Sequence, residues 1–221
     1  GTNEYPFLID EDGISVLPIT SLKLDNEVSS DIISTGVPGL NEMFHGGGFY
    51  RGSNILVSGT AGTAKTTVAC YFANEQCEKN EKTIYFAFEE SPHQLVRNMK
   101  SIGIDLEKHI KKGILQIHSS RPSLNGLELH LLTLRKLIKD FQPTTIIIDP
   151  ISNLITVGSE QEVRSMLVRL IDMLKANNIT ALFTSLNKQT DNFRPDLAEE
   201  SVSSLVDTWI TVRDMEGVGE R

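Results

Sequence analysis

The sequence predicts an α/β fold in which a mostly parallel, twisted sheet carries helices on both faces. Three observations carry that expectation. Strand-length apolar runs alternate with helix-period segments through the middle of the chain. The run Thr144–Ile148 is β-branched throughout and has no polar face, as a strand covered on both sides requires. Finally, Ile55-Leu56-Val57 leads into a loop of small residues and then a helical pattern, the strand–loop–helix order of a phosphate-cradling turn.

The elements follow in order. Residues 5–19 hold two short extended runs joined by Glu11-Asp12-Gly13, a hairpin signal. Residues 20–35 are polar and serine-rich, a linker composition. Ser34–Met43 reads as a turn followed by a short helix, which Gly46-Gly47-Gly48 stops. Thr67–Lys79 reads as a helix with Val68, Tyr71, Phe72 and Glu75 at helical spacing. Thr83–Phe88 is a strand, Pro92–Ile102 an amphipathic helix and Ile114–Ile117 a further strand. Gly126–Phe141 places Leu127, Leu131, Leu134 and Ile138 on one helical face, and the stripe is too short for a partner zipper, so it reads as core. Gln161–Ala176 completes the helices, and Ile179–Thr184 and Ser204–Val212 the strands. No short-period repeat is visible.

Length and composition narrow the function. A chain of 221 residues suffices for one generous α/β domain. A formal net charge of −8 supplies no global basic field and argues against nucleic acid as a partner. The densest basic cluster, His109-Ile110-Lys111-Lys112, reads as a solvated helix end. No apolar run is long enough for a bilayer, and no signal peptide is present. Cys70 and Cys77 fall on one face of a helix without bridgeable geometry and read as buried free thiols in a reducing cytoplasm. The chain opens on Gly1 without an initiator methionine and stops soon after a strand-like run, so the reading is a fragment. In that reading residues 1–33 lead in from a preceding domain, and 34–221 form the main domain, incomplete at its C-terminal end.

The loop Gly59-Thr60-Ala61-Gly62-Thr63-Ala64-Lys65-Thr66 is nearly the pattern G-x-x-x-x-G-K-[ST]. Small residues let backbone N–H groups turn inward around an anion. Lys65 brings a point charge for the outer phosphates and the Thr66 hydroxyl can ligate Mg²⁺. The helix that follows aims its N-terminal dipole at the same place. With Thr67, these residues form the candidate nucleotide-binding set. Ala64 stands where the pattern wants glycine. The added methyl is tolerable in right-handed dihedrals and costly at φ > 0. Its place at the loop–helix junction makes the right-handed conformation the expectation.

Other polar groups fall at strand ends, where ligands sit in open α/β sheets. Thr144–Ile148 closes on Asp149, which beside a phosphate loop reads as the Mg²⁺-organising aspartate. Tyr85–Phe88 closes on Glu89 and Glu90, one of which can orient or deprotonate an attacking water or hydroxyl. Neighbours on a strand face opposite ways, so the other fits the acidic start of the following helix. Leu182–Thr184 runs into Ser185, Leu186 and Asn187, which either sense the outer phosphate or cap a turn. The five histidines show no metal or triad spacing, and Trp209 reads as packing.

Taken together, these segments resemble the KaiC family of RecA-like ATPases over nearly the whole chain. Ser34-Thr35-Gly36-Val37-Pro38-Gly39-Leu40-Asn41 with Gly46-Gly47-Gly48-Phe49 resembles the family's signature ahead of the phosphate loop. Phe86–Ser91, with Gln94-Leu95 and Arg97-Asn98, resembles its paired-glutamate segment, and Ile146–Ser152 its Walker-B strand. Gly1-Thr2, Glu4–Ile9 and Gly13-Ile14 resemble the passage from a first domain of such a protein into its second.

The resemblance implies a RecA-like fold, ATP and Mg²⁺ as ligands, and a hexameric ring with ATP between subunits. It also implies autokinase chemistry in the second domain, possible regulatory protein partners, and a clock or signalling output. Catalysis would rest on Lys65 with Glu89 or Glu90. Rival readings are a regulatory module in which ATP holds the ring together with negligible chemistry, and a recombinase-like DNA motor.

Overall fold

The computed structural model describes residues 7–10, 13–16, 29–121, 126–187 and 204–214. Strands β1 (Phe7–Asp10) and β2 (Gly13–Val16) pair antiparallel with Phe7 opposite Val16, the hairpin read from Glu11-Asp12-Gly13. Of the expected linker, residues 20–28 lie outside the described set. Its far end is not linker: β3 (Ile32–Ile33) pairs antiparallel with β4 (Phe49–Tyr50), and Ile33 and Phe49 are buried. Two consecutive β-branched residues were the signal for that pairing.

Between β3 and β4 lies α1 (Pro38–Met43), with proline in its first turn. Strands and helical segments then follow one another. β5 (Asn54–Gly59) is followed by α2 (Lys65–Glu78), β6 (Thr83–Ala87), α3 (Pro92–Ser101), a short α4 (Glu107–Lys111) and β7 (Leu115–Ser119). Then come α5 (Leu127–Phe141), β8 (Thr145–Asp149), a 3₁₀ helix (Ile151–Thr156), α6 (Glu160–Ala176), β9 (Thr180–Leu186) and β10 (Thr208–Val212).

The sheet runs in the order β10–β5–β9–β8–β6–β7, and every adjacent pair is parallel. This is the expected α/β architecture, of RecA-like type. β9 separates the strand that feeds the loop from the strand that ends in Asp149. Alternate residues divide between two cores. Leu56, Ile84, Phe86, Ile146, Ile148 and Phe183 pack with the leucine stripe of α5 and the apolar face of α6. Ile55, Val57, Tyr85, Ala87, Ile147 and Leu182 pack with α2, Leu95 and Met99 of α3, and Leu106 beside α4. Among the described residues no helix is long and apolar enough to cross a membrane.

Local chemistry fixes the helix starts. Ser91 and Gln94 form a reciprocal capping box on α3, and Ser159 and Glu162 form another on α6. On α2, Ala69, Cys70, Phe72, Ala73, Gln76 and Cys77 are buried, the two cysteines as expected, while Tyr71 is 36% exposed. Small side chains let this helix lie close on the sheet, and size, not hydrophobicity, chose the face. Both cysteines are buried and free. The basic cluster at residue 109 does lie in a helix, but His109 is fully buried, with Nε2 3.0 Å from Asn74 Oδ1 on α2.

The segment ahead of α1 is tied to α2. Asn41 Oδ1 accepts from Thr35 N–H at 2.8 Å and from its hydroxyl at 2.7 Å, while Gln76 Nε2 donates to Ser34 O at 2.9 Å. Gly36 has φ 81°, and a Cβ there would lie 2.4 Å from Tyr71 O. Only glycine allows this approach.

Ala64 departs from expectation. Its φ of 63° and ψ of 24° are left-handed. It is the residue at which the loop turns into α2, and its carbonyl already accepts the first helical bond, from Val68 N–H at 3.0 Å. To wrap small residues around a concavity and enter the helix at once, the backbone must reverse its curvature at this position, and that reversal demands φ > 0. The methyl is accommodated because residue 64 is exposed, but the strain stays.

Ala64→Gly should therefore raise unfolding stability by about 0.5–1 kcal/mol in urea titration, the left-handed penalty less the entropy of the added glycine. An unchanged or lower midpoint would remove the strain argument. Gly36→Ala should lower stability by about 2–4 kcal/mol through backbone overlap and strain together. A midpoint within error of wild type would show that α1 and α2 separate freely.

Candidate nucleotide site

All described strands of the sheet end at one edge, so the chemistry-bearing residues at their carboxyl ends meet there. In register, Val57 lies beside Thr184, Gly59 beside Leu186, and Ala87 beside Asp149. The loop leaves β5 at Gly59, where a Cβ would lie 2.4 Å from Val212 O and 2.7 Å from Thr63 Oγ1, so only glycine fits against the end of β10. Gly62 follows with φ 83°.

Thr60 organises the loop. Its carbonyl accepts from Thr63 Oγ1 at 2.9 Å and from Lys65 Nζ at 2.6 Å. Lys65 thus folds back over the loop at the mouth of α2, half-buried. Burial lowers its pKa below the usual lysine value, opposed by the Asp149 and Glu89 carboxylates. Thr66 and Thr67 lie half-buried in the first turn of the helix, while Ala61, Gly62 and Ala64 are exposed on the outside of the loop.

Asp149 is nearly buried at 8% exposure, and both its oxygens are engaged. Tyr85 Oη donates to Oδ2 at 2.6 Å, and Thr184 Oγ1 donates to Oδ1. Its backbone carbonyl accepts from Phe88 N–H at 2.8 Å, which ties the end of β8 to the bend carrying the glutamates. Glu89 is exposed and accepts from Asn153 Nδ2 at 3.1 Å, on the 3₁₀ helix. Glu90 is half-buried. Its Oε1 accepts from Asn98 Nδ2 of α3 at 3.3 Å, and its backbone carbonyl accepts from Ser119 Oγ at 2.9 Å. β6 ends at Ala87, so strand alternation does not govern the pair; both sit in the bend that follows, where Glu89 bonds to the 3₁₀ helix and Glu90 to α3.

Asn187 N–H donates to Gly59 O at 3.0 Å, tying the end of β9 to the start of the loop. Its Oδ1 is buried without a hydrogen-bond partner among the described residues, as are Glu90 Oε2 and Ser185 Oγ. Unpaired buried acceptors at the mouth of a loop are costly unless a ligand, its water or a neighbouring chain completes them. The residues present fit a hard cation, since the Thr66 hydroxyl and the Asp149 carboxylate are oxygen donors of the kind Mg²⁺ prefers.

Sequence reading missed two contributors. Tyr85 was read as part of an apolar strand; its phenol, buried and in need of an acceptor, was the available signal. Asn153 gave none, because the 3₁₀ helix that carries it has no periodic pattern. Trp209, read as packing, is 41% exposed and donates Nε1–H to Ser58 Oγ at 2.8 Å. His118, partly buried, and His130, buried, both pack against Phe86.

The family described as "ATPase: KaiC" matches residues 33–218. Among curated proteins the chain is 47% identical over 219 residues to "Circadian clock protein KaiC2" of Synechocystis sp., covering 99% of this chain and 39% of the relative. It is 37% identical to "Circadian clock oscillator protein KaiC" of Acaryochloris marina, over 98% of the chain and 41% of that protein. To the Synechococcus elongatus protein of the same name the identity is 36%, again over 98% and 41%. The chain thus spans about two fifths of the length of the curated relatives it matches. A match that takes in the loop, the paired glutamates and the Asp149 strand on a sheet of this order leaves the assignment plain: this chain belongs to the KaiC family of RecA-like ATPases.

Proposed function

We propose that this domain binds Mg²⁺-ATP and hydrolyses it, or transfers its γ-phosphate, at the interfaces of a hexameric ring. The observation that carries this reading is a loop of small residues that leaves β5 at Gly59, with Lys65 folded back onto Thr60 O, on the sheet edge where β8 ends in the nearly buried Asp149. A triphosphate with its metal gives both charged groups a role.

The backbone N–H groups from Gly59 to Thr67 would cradle the phosphates, and Lys65 would exchange its bond to Thr60 O for phosphate oxygens. Thr66 and Asp149 would hold the metal, directly or through water. Mg²⁺ held there would supply positive charge against the charge that develops on the outer phosphates. Glu89, exposed and accepting a hydrogen bond from Asn153, would orient a water or a hydroxyl. Glu90 would keep α3 in register with the site through Asn98. Asn187, with its unpaired Oδ1, would meet a water or donor beside the outer phosphate. Phosphoryl transfer asks mainly for positioning and electrostatics, so these groups suffice once a neighbouring subunit closes the site.

The ring, the autokinase step and a role in timing come from the family resemblance and from the relatives' names. The rival module, in which ATP only holds the ring together, draws support from the strained Ala64, since a strained loop trades cradle precision for tolerance. Phosphate release by the full-length protein separates the two readings.

Lys65→Ala should abolish ATP binding in calorimetry while the circular dichroism spectrum stays native; unchanged affinity removes the loop's role. Glu89→Gln should keep Mg²⁺-ATP affinity but lower turnover by about 10²–10⁴-fold. Undiminished phosphate release would reduce Glu89 to a brace for the 3₁₀ helix.

A further inference from the structure

We infer that Tyr85, together with Thr184, is a positioning clamp that sets the Mg²⁺ response of the site by fixing the Asp149 carboxylate. The inference rests on the reading of Asp149 as the metal-organising residue and extends it to side chains that never touch the ligand.

The geometry is unusual for an apolar strand. Tyr85 is fully buried in the core beneath α2, and its ring fills the space a phenylalanine would fill as well. Its hydroxyl is a different matter, because a buried phenol must find an acceptor or lose stability. The acceptor is Asp149 Oδ2 at 2.6 Å, one strand away. In register Tyr85 lies beside Ile147, and Asp149 lies beside Ala87. The phenol therefore reaches the carboxylate from two residues deeper in the sheet, across the small Ala87. From the other side β9 supplies Thr184 Oγ1 to Oδ1. The carboxylate is gripped on both oxygens by neutral donors from both flanking strands.

A carboxylate has about four lone-pair positions, so two donors leave about one free on each oxygen. The donors fix the plane of the group and decide where those free positions point. Neutral hydroxyls hold it without neutralising it, as a salt bridge would. Cys70 of α2 packs in the same core as Tyr85. Since α2 begins at Lys65, the helix that presents the lysine also backs the clamp that orients the aspartate. Partners that orient a ligating side chain in this way commonly tune metal affinity by about 10–100-fold.

The test measures ATP affinity by calorimetry on the full-length protein, once with Mg²⁺ and once with EDTA. The ratio of the two affinities is the Mg²⁺ increment. Tyr85→Phe keeps the ring and removes only the donor. It should cut the increment by about tenfold and leave the EDTA affinity unchanged. A folded Tyr85→Phe protein with a wild-type increment overturns the clamp, because a packing role would shift thermal stability alone. If that variant does not fold, Thr184→Val reads the same quantity from the other oxygen: a reduced increment supports the clamp and an unchanged one overturns it. Asp149→Asn run in parallel separates the two levels. An increment insensitive to Asp149→Asn removes the metal role of Asp149 and the clamp with it; one abolished by Asp149→Asn but untouched by Tyr85→Phe removes the clamp alone.

Discussion

A strand cannot be joined to a parallel neighbour by a tight turn; the chain must cross a face of the sheet and start again at the same end. The central sheet here is parallel throughout its described pairs, and this constraint orders the rest. Each crossover becomes a helix or a long connection, each strand needs apolar side chains on both faces, and the polar residues that close strands gather along one edge. Lys65, Glu89, Asp149 and Thr184 are far apart in sequence and come to one edge because of direction alone. A single reversed strand among them would move its terminal group to the opposite edge.

At that edge the polar groups are tied to one another by the chain's own side chains. The Thr60 carbonyl collects Thr63 and Lys65, so the loop is held in its curve by its own side chains. The carboxylates of Asp149 and Glu89 favour the charged form of Lys65 against the burial that disfavours it. Pre-set shape and pre-set charge both reduce what binding must reorganise. Ala64 is the exception, a left-handed alanine that folding must force into place.

Much of this was readable from the residues because the strong signals were local. The β-branched run ending in Asp149, the Gly–Thr–Lys loop and the leucine stripe of α5 each depend on neighbours in sequence, and each was found where expected. The failures share a cause too. Tyr85 looked like one more strand aromatic because its partner Asp149 lies 64 positions away. On α2 the buried cysteines were read from the sequence, but no periodic count singled out Ala69, Ala73 and Gln76 beside them. Position 64 was misread because its dihedrals are dictated by the path of the loop, which no propensity of alanine reveals. Strand alternation was the wrong ground for dividing Glu89 from Glu90, since β6 ends at Ala87, and the braces Asn153 and Asn98 are tertiary and needed the fold.

The indole of Trp209 has a practical consequence. It is the one tryptophan in the chain, partly open to solvent, and it is hydrogen-bonded to Ser58, the residue next to the glycine from which the loop departs. Its excited state therefore samples the polarity and rigidity of the loop-bearing strand and nothing else of comparable brightness competes with it. The molecule carries its own optical gauge at the root of the loop, and emission colour and quenching can follow events there without any attached dye.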